Sequence, residues 1–119
     1  MKIDHPRPLN DEERAVLNFL LQSEFDGVEQ LRAQVAGARV VGGCDCGCPT
    51  IYMEVDAHSP SSGIAEKLAP VEAVVSPEAH EIPGSIILFL KDGRLSSMEY
   101  VWYDQPPDRW PAPDRLTYL

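Results

Sequence analysis

Between Asp11 and Gln22 the apolar residues return every three or four positions. Val16, Leu17, Leu20 and Leu21 make one stripe, with Ala15 and Phe19 on its flanks. That period predicts a helix. Asn10 stands where an N-cap belongs, and Glu13 follows at the spacing of a capping box. Asp11, Glu12 and Glu13 also suit the positive end of a helix dipole. A second helix is predicted after an Asp26 cap, with Val28, Leu31 and Val35 as its buried stripe and Gly37 as its stop. Few residues join the two, so they should pack as a hairpin or corner.

Beyond Gly37 the period falls to two. Arg39-Val40-Val41 reads as a short strand. From Thr50 to Asp56, Ile51, Met53 and Val55 alternate with Tyr52, Glu54 and Asp56. Residues 57–70, AHSPSSGIAEKLAP, read as a polar, proline-interrupted surface loop, and Val71 to Val75 as another strand. The clearest β signal is SIILFLKDGRLSSMEYVWY. Its Asp92-Gly93 pair is the favoured centre of a two-residue type I′ hairpin. This sets Lys91 opposite Arg94, Leu90 opposite Leu95 and Ile87 opposite Met98. Both faces of the hairpin are apolar, which predicts a place inside the sheet.

The ends read differently. Residues 1–9, with Pro6 and Pro8, form an extended arm. Residues 104–119, DQPPDRWPAPDRLTYL, contain four prolines and are expected to wrap the surface without adding a regular strand. The expectation is therefore one domain over residues 1–119 of the α+β class: two N-terminal helices packed on an antiparallel sheet of four to five strands.

Composition narrows the function. The chain has 119 residues, 44% hydrophobic and 24% charged, with a net charge of −9. Such an acidic balance argues against a nucleic-acid partner, because phosphates are bound by Lys and Arg. It fits a basic protein partner instead. The longest apolar run, Ile86 to Leu90, is far short of a membrane span. No hydrophobic stretch near the N-terminus resembles a secretion signal. A cytoplasmic location is expected.

All three cysteines lie in C-D-C-G-C, residues 44–48. Three adjacent thiols cannot form the disulfide framework of a secreted domain. Three readings follow. In the first, which the spacing favours, the cysteines are small apolar fillers of a tight turn, with no cofactor. In the second they bind zinc, with His58 the candidate fourth ligand beside Cys44, Cys46 and Cys48, and His80 or the more terminal His5 behind it. Against zinc, residues two apart on an extended strand are separated by roughly 6.6 Å. The sulfurs would converge only if Gly47 and Pro49 bent the segment. The third reading is thiol redox or nucleophilic chemistry. It lacks a local cation or helix N-terminus, and Asp45 should raise rather than lower the thiol pKa values.

Glu99 interrupts an apolar strand and is expected on the Leu88/Leu95 side. There it would be either a functional carboxylate or an ion-pair partner of Arg94, Arg109 or Arg115. Tyr100, Trp102, Tyr103 and Trp110 make an aromatic C-terminal quarter that serves a binding surface or holds the tail. No phosphate-binding glycine loop, H-E-x-x-H or G-x-S-x-G occurs.

Three stretches, P-L-N-D-E-E-R-A-V-L at 8–17, A-R-V-V-G-G-C-D-C-G-C-P at 38–49 and D-G-R-L-S-S-M-E-Y-V-W-Y at 92–103, resemble a set of small bacterial proteins that share this order. The resemblance implies a bacterial, soluble, single-domain protein and brings no activity with it. In general style the chain is also similar to small acidic immunity proteins that neutralise toxins, a likeness of class and not of motif. The leading expectation is a non-catalytic acidic interaction module; the alternatives are a zinc-binding domain on the cysteine cluster and a thiol enzyme.

Overall fold

In the computed structural model, which describes residues 2–76, 83–103 and 105–119, Asn10 opens helix α1 (Asp11–Leu20) with a complete capping box. Asn10 Oδ1 accepts the Glu13 N–H at 2.8 Å, and Glu13 Oε1 accepts the Asn10 N–H at 2.9 Å. Helix α2 (Val28–Gln34) starts differently from expectation. Gly27, at φ 93°, is its N-cap, and no side chain closes the end, so Asp26 does not cap it. A 3-10 turn at Val35–Gly37 finishes the helical region.

Among the described residues seven strands form one antiparallel sheet: β1 (Lys2–Pro8), β2 (Arg39–Gly43), β3 (Ile51–Glu54), β4 (Leu68–Val75), β5 (Gly84–Lys91), β6 (Arg94–Val101) and β7 (Leu116–Tyr118). Their order is β1-β2-β3-β6-β5-β4-β7. This overturns the expected α+β arrangement of helices on four to five strands: the chain is mostly sheet, and the sheet is wider. Both unexpected strands come from proline-bearing ends. β1 lies in the arm 1–9 and pairs Arg7 with Val40 and Pro8 with Arg39. Proline is tolerated there because an edge strand has donors that no neighbour needs. In the tail 104–119 the last proline is Pro113, and the chain past it pairs Leu116, Thr117 and Tyr118 with Val75, Val74 and Ala73.

The β5–β6 hairpin sits in the sheet interior, as its two apolar faces require. Asp92 and Gly93 both have positive φ, 54° and 76°, the signature of a type I′ turn. Lys91 faces Arg94 and Leu90 faces Leu95, but a bulge at Ser96 then shifts the register. Met98 consequently faces Leu88, not Ile87, and Ile87 faces Glu99. An extra residue reverses every later side chain on its strand.

The helices cover one face of the sheet. Leu17, Leu20 and Leu31 are fully buried there with Ile86, Leu88 and Met98. On the opposite face Tyr52 and Leu68 remain 42% and 50% exposed. Residues 57–67 are also more constrained than a free surface loop. Ser59 O and Ala57 O accept from the Arg94 guanidinium, and the Ser62 N–H donates to Gly93 O at 2.9 Å. The expected loop 57–70 yields its last three residues to β4. Among the described residues, no helix is long and apolar enough to cross a membrane.

Candidate metal centre

The hairpin connecting β2 and β3 closes on the Gly43–Ile51 pair, so the three cysteines lie in its loop. Gly47 adopts φ 89°, and its N–H donates to Cys44 O at 3.4 Å, folding the peptide back on itself. Glycine enters this left-handed region without the Cβ penalty other residues meet. The expected 6.6 Å steps of a straight strand are thereby abolished. The Sγ atoms of Cys44, Cys46 and Cys48 all lie within 4.8 Å of one another, and those of Cys44 and Cys46 are 2.7 Å apart. The geometric objection to metal binding falls: the cluster could hold a metal ion.

The loop aims backbone donors at its own sulfurs. The Cys46 N–H donates to Cys44 Sγ and the Cys48 N–H to Cys46 Sγ, each at 3.4 Å. Hydrogen bonds of this kind favour a thiolate over a thiol. At the base, Cys48 Sγ contacts Thr50 Oγ1 at 3.4 Å, and the same oxygen accepts the Tyr100 N–H at 3.0 Å. Tyr100 in turn stacks on Trp110 at 5.7 Å between ring centroids. The loop is thus anchored into the sheet at one end while its tip stays open: Cys46 is exposed, Cys44 half-exposed and Cys48 buried.

The thiols differ electrostatically. Hydrogen bonding with Cys44, and then with Cys48, pushes the Cys46 thiol up to about 11. Burial pushes Cys48 up as well, but hydrogen bonds from Cys46, Thr50 and Cys44 outweigh it and bring that thiol down to about 7. Both shifts arise from hydrogen bonds inside the loop and from burial, where the sequence pointed to Asp45.

The other expected site residues lie elsewhere. His58 is exposed in the turn after β3, at the opposite end of that strand from Cys48, with its N–H on Asp56 Oδ1 at 2.8 Å. It does not join the cysteine group, which among the described residues is the one set of three or more metal-ligating side chains. His5 is on edge strand β1, and His80 falls outside the described residues. Glu99 is not on the Leu88/Leu95 side. The Ser96 bulge turns it to the face without helices, where it lines a groove of about 530 Å³ with Tyr52, Lys67 and Phe89. Its expected partners Arg94 and Arg109 are engaged with the Ala57 and Ser59 carbonyls and with Glu12 respectively. Thr50 was missed by sequence reasoning. As the residue that joins Cys48 to β6 it carries no motif, and only its place at the start of an alternating strand marks it.

Comparison with protein-family models, with curated proteins and with solved structures finds no match for this chain.

Proposed function

We propose that this protein binds a thiophilic metal ion, zinc in the first instance, through Cys44, Cys46 and Cys48. The observation that carries this reading is the convergence of three sulfurs within 4.8 Å. With metal–sulfur bonds of about 2.3 Å, sulfurs at tetrahedral angles stand about 3.8 Å apart. The Cys44–Cys46 pair would open from 2.7 Å to that spacing. The two N–H···S contacts and the Thr50 hydroxyl supply an outer shell of the kind that orients thiolate ligands. Elemental analysis of protein purified without chelators tests the reading, together with the thiolate-to-metal absorption band of a cobalt-loaded sample. About one equivalent of metal is expected in wild type and strongly reduced loading in Cys46→Ser. Less than about half an equivalent in wild type would exclude it.

A second reading, an interaction module with a basic protein partner, draws support from the uncovered sheet face. Tyr52, Ser97, Phe89 and Leu68 form one row across four strands, and the chain's net charge is −9. Binding of basic but not acidic peptides, weakened by salt and lost in Tyr52→Glu, tests it.

A further inference from the structure

We infer that the ion at Cys44, Cys46 and Cys48 is cargo: it is handed to, or received from, a partner molecule that supplies a thiol as the fourth ligand. This inference rests on the metal reading above and assigns that site a transfer role.

Three features point this way. First, structural zinc sites are closed by four protein ligands, whereas three sulfurs gather here among the described residues. One coordination position is left for a ligand from outside. Second, the sulfurs are graded in accessibility, from buried Cys48 through half-exposed Cys44 to exposed Cys46. An incoming thiolate therefore meets the ion from the open side while Cys48 still holds it from below. Exchange then proceeds by addition of a first partner thiolate at the open position, after which further thiolates from the partner displace Cys46, Cys44 and Cys48 one at a time. The first bond fills the open position, and each later metal–sulfur bond formed replaces one broken. The first incoming thiol gives its proton to solvent, each later one passes its proton through solvent to the cysteine it displaces, and no electrons change hands.

Third, the packed core cluster is built without the site, Cys48 alone of the three cysteines being buried. The core cluster of helix and sheet side chains contains none of the three cysteines. All three ligands also lie within five consecutive residues, so the unfolded chain can present the same donors. A ligand that binds folded and unfolded chains alike adds little to stability. A structural metal does the opposite, because its ligands come together only on folding.

The test uses full-length protein loaded with one equivalent of Zn²⁺ and mixed with increasing glutathione in the presence of a zinc-sensitive dye. Release should accelerate in proportion to the thiol, about tenfold for a tenfold increase, and methylated glutathione should have no such effect. Apo and zinc-loaded protein should melt within about 3 °C of each other, and both should remain monomeric. A release rate independent of thiol, or apo protein that is unfolded, would overturn the transfer role while leaving metal binding intact. Dimerisation on loading would also overturn it, by assigning the fourth ligand to a second copy. Failure to load any zinc would instead remove the underlying reading.

Discussion

The side-chain oxygen of Gln34 accepts the backbone N–H of Leu95 at 3.0 Å, tying the last residue of helix α2 to the start of strand β6. The amide nitrogen of the same side chain donates to Pro60 O at 2.7 Å and to Gly93 O at 3.3 Å. One residue, 1% exposed, thus joins a helix, the segment after β3 and the central hairpin turn.

Replacing this amide with an apolar group of similar size should be costly. Gln34→Leu strips the partner from the buried Leu95 N–H and from Pro60 O, at about 1–3 kcal/mol for each group that stays dry, while Gly93 O keeps the Ser62 N–H. A net loss of about 2–4 kcal/mol is expected, read as a lower urea midpoint with an unchanged slope. A midpoint equal to wild type would mean that water replaces the amide without penalty.

Gly93 and Gly47 both have positive φ, 76° and 89°, yet their alanine variants should separate. A Cβ at Gly93 would strike the Ser61 hydroxyl and crowd two backbone nitrogens at 3.1 Å. Gly93→Ala should therefore lower stability by more than the 1–2 kcal/mol or so of left-handed strain. At Gly47 a Cβ meets nothing within 4 Å, so that strain acts alone. It opposes the loop shape that gathers the sulfurs, and zinc affinity should fall about tenfold. Chemical denaturation and zinc competition, run on both variants, check the contrast.

Arg7 on β1 holds the buried Glu13 carboxylate through two hydrogen bonds, at 2.9 and 2.8 Å. The hydrogen bond to Glu13 keeps the guanidinium pKa above its ordinary value despite partial desolvation. Arg7→Ala leaves the carboxylate with only its capping contact, and a loss of about 1.5–3 kcal/mol is expected. Hydrogen exchange should show β1 amides losing protection first, because this pair links the edge strand to α1. Uniform loss across the sheet would assign the pair a global role instead.

The metal-free protein should release its first thiol proton early. Cys48 ionises at about 7, against about 8.5 for free cysteine. Between these values the unfolded chain binds the proton more tightly. The stability contributed by this thiol is therefore full above about pH 8.5 and fades as pH falls through about 7. Ultraviolet thiolate titration should show one step near 7 that vanishes in Cys48→Ser, and a late step near 11 that vanishes in Cys46→Ser. A Cys48 step above pH 8.5 would contradict the assignment.

Local rules were readable wherever short-range chemistry decides the outcome. Asn10 and Glu13 announced the start of α1, and Asp92-Gly93 fixed the central hairpin turn. Tertiary effects were hidden. The Ser96 bulge leaves no mark in S-S-M-E-Y, yet it moves Glu99 to the other face of the sheet. Strand β7 was obscured because the prolines of the tail were read as excluding a regular strand throughout it, whereas Leu116–Tyr118 lie past the last of them. The arm 1–9 was read as extended, and its pairing with β2 is a long-range contact. In the cysteine loop, Gly47 was visible as a possible bend. Whether it gathers the thiols depends on the hydrogen bond to Cys44 O, which composition does not encode.

The placement of Pro6 and Pro8 has a further effect on how molecules meet one another. Sheets grow into fibrils when an unguarded border offers a full ladder of N–H and C=O groups to the next chain. Along β1 two of those donors do not exist, and on the far border β7 is only three residues long. Neither flank gives a newcomer a sustained foothold, so this broad sheet should resist polymerising even when concentrated.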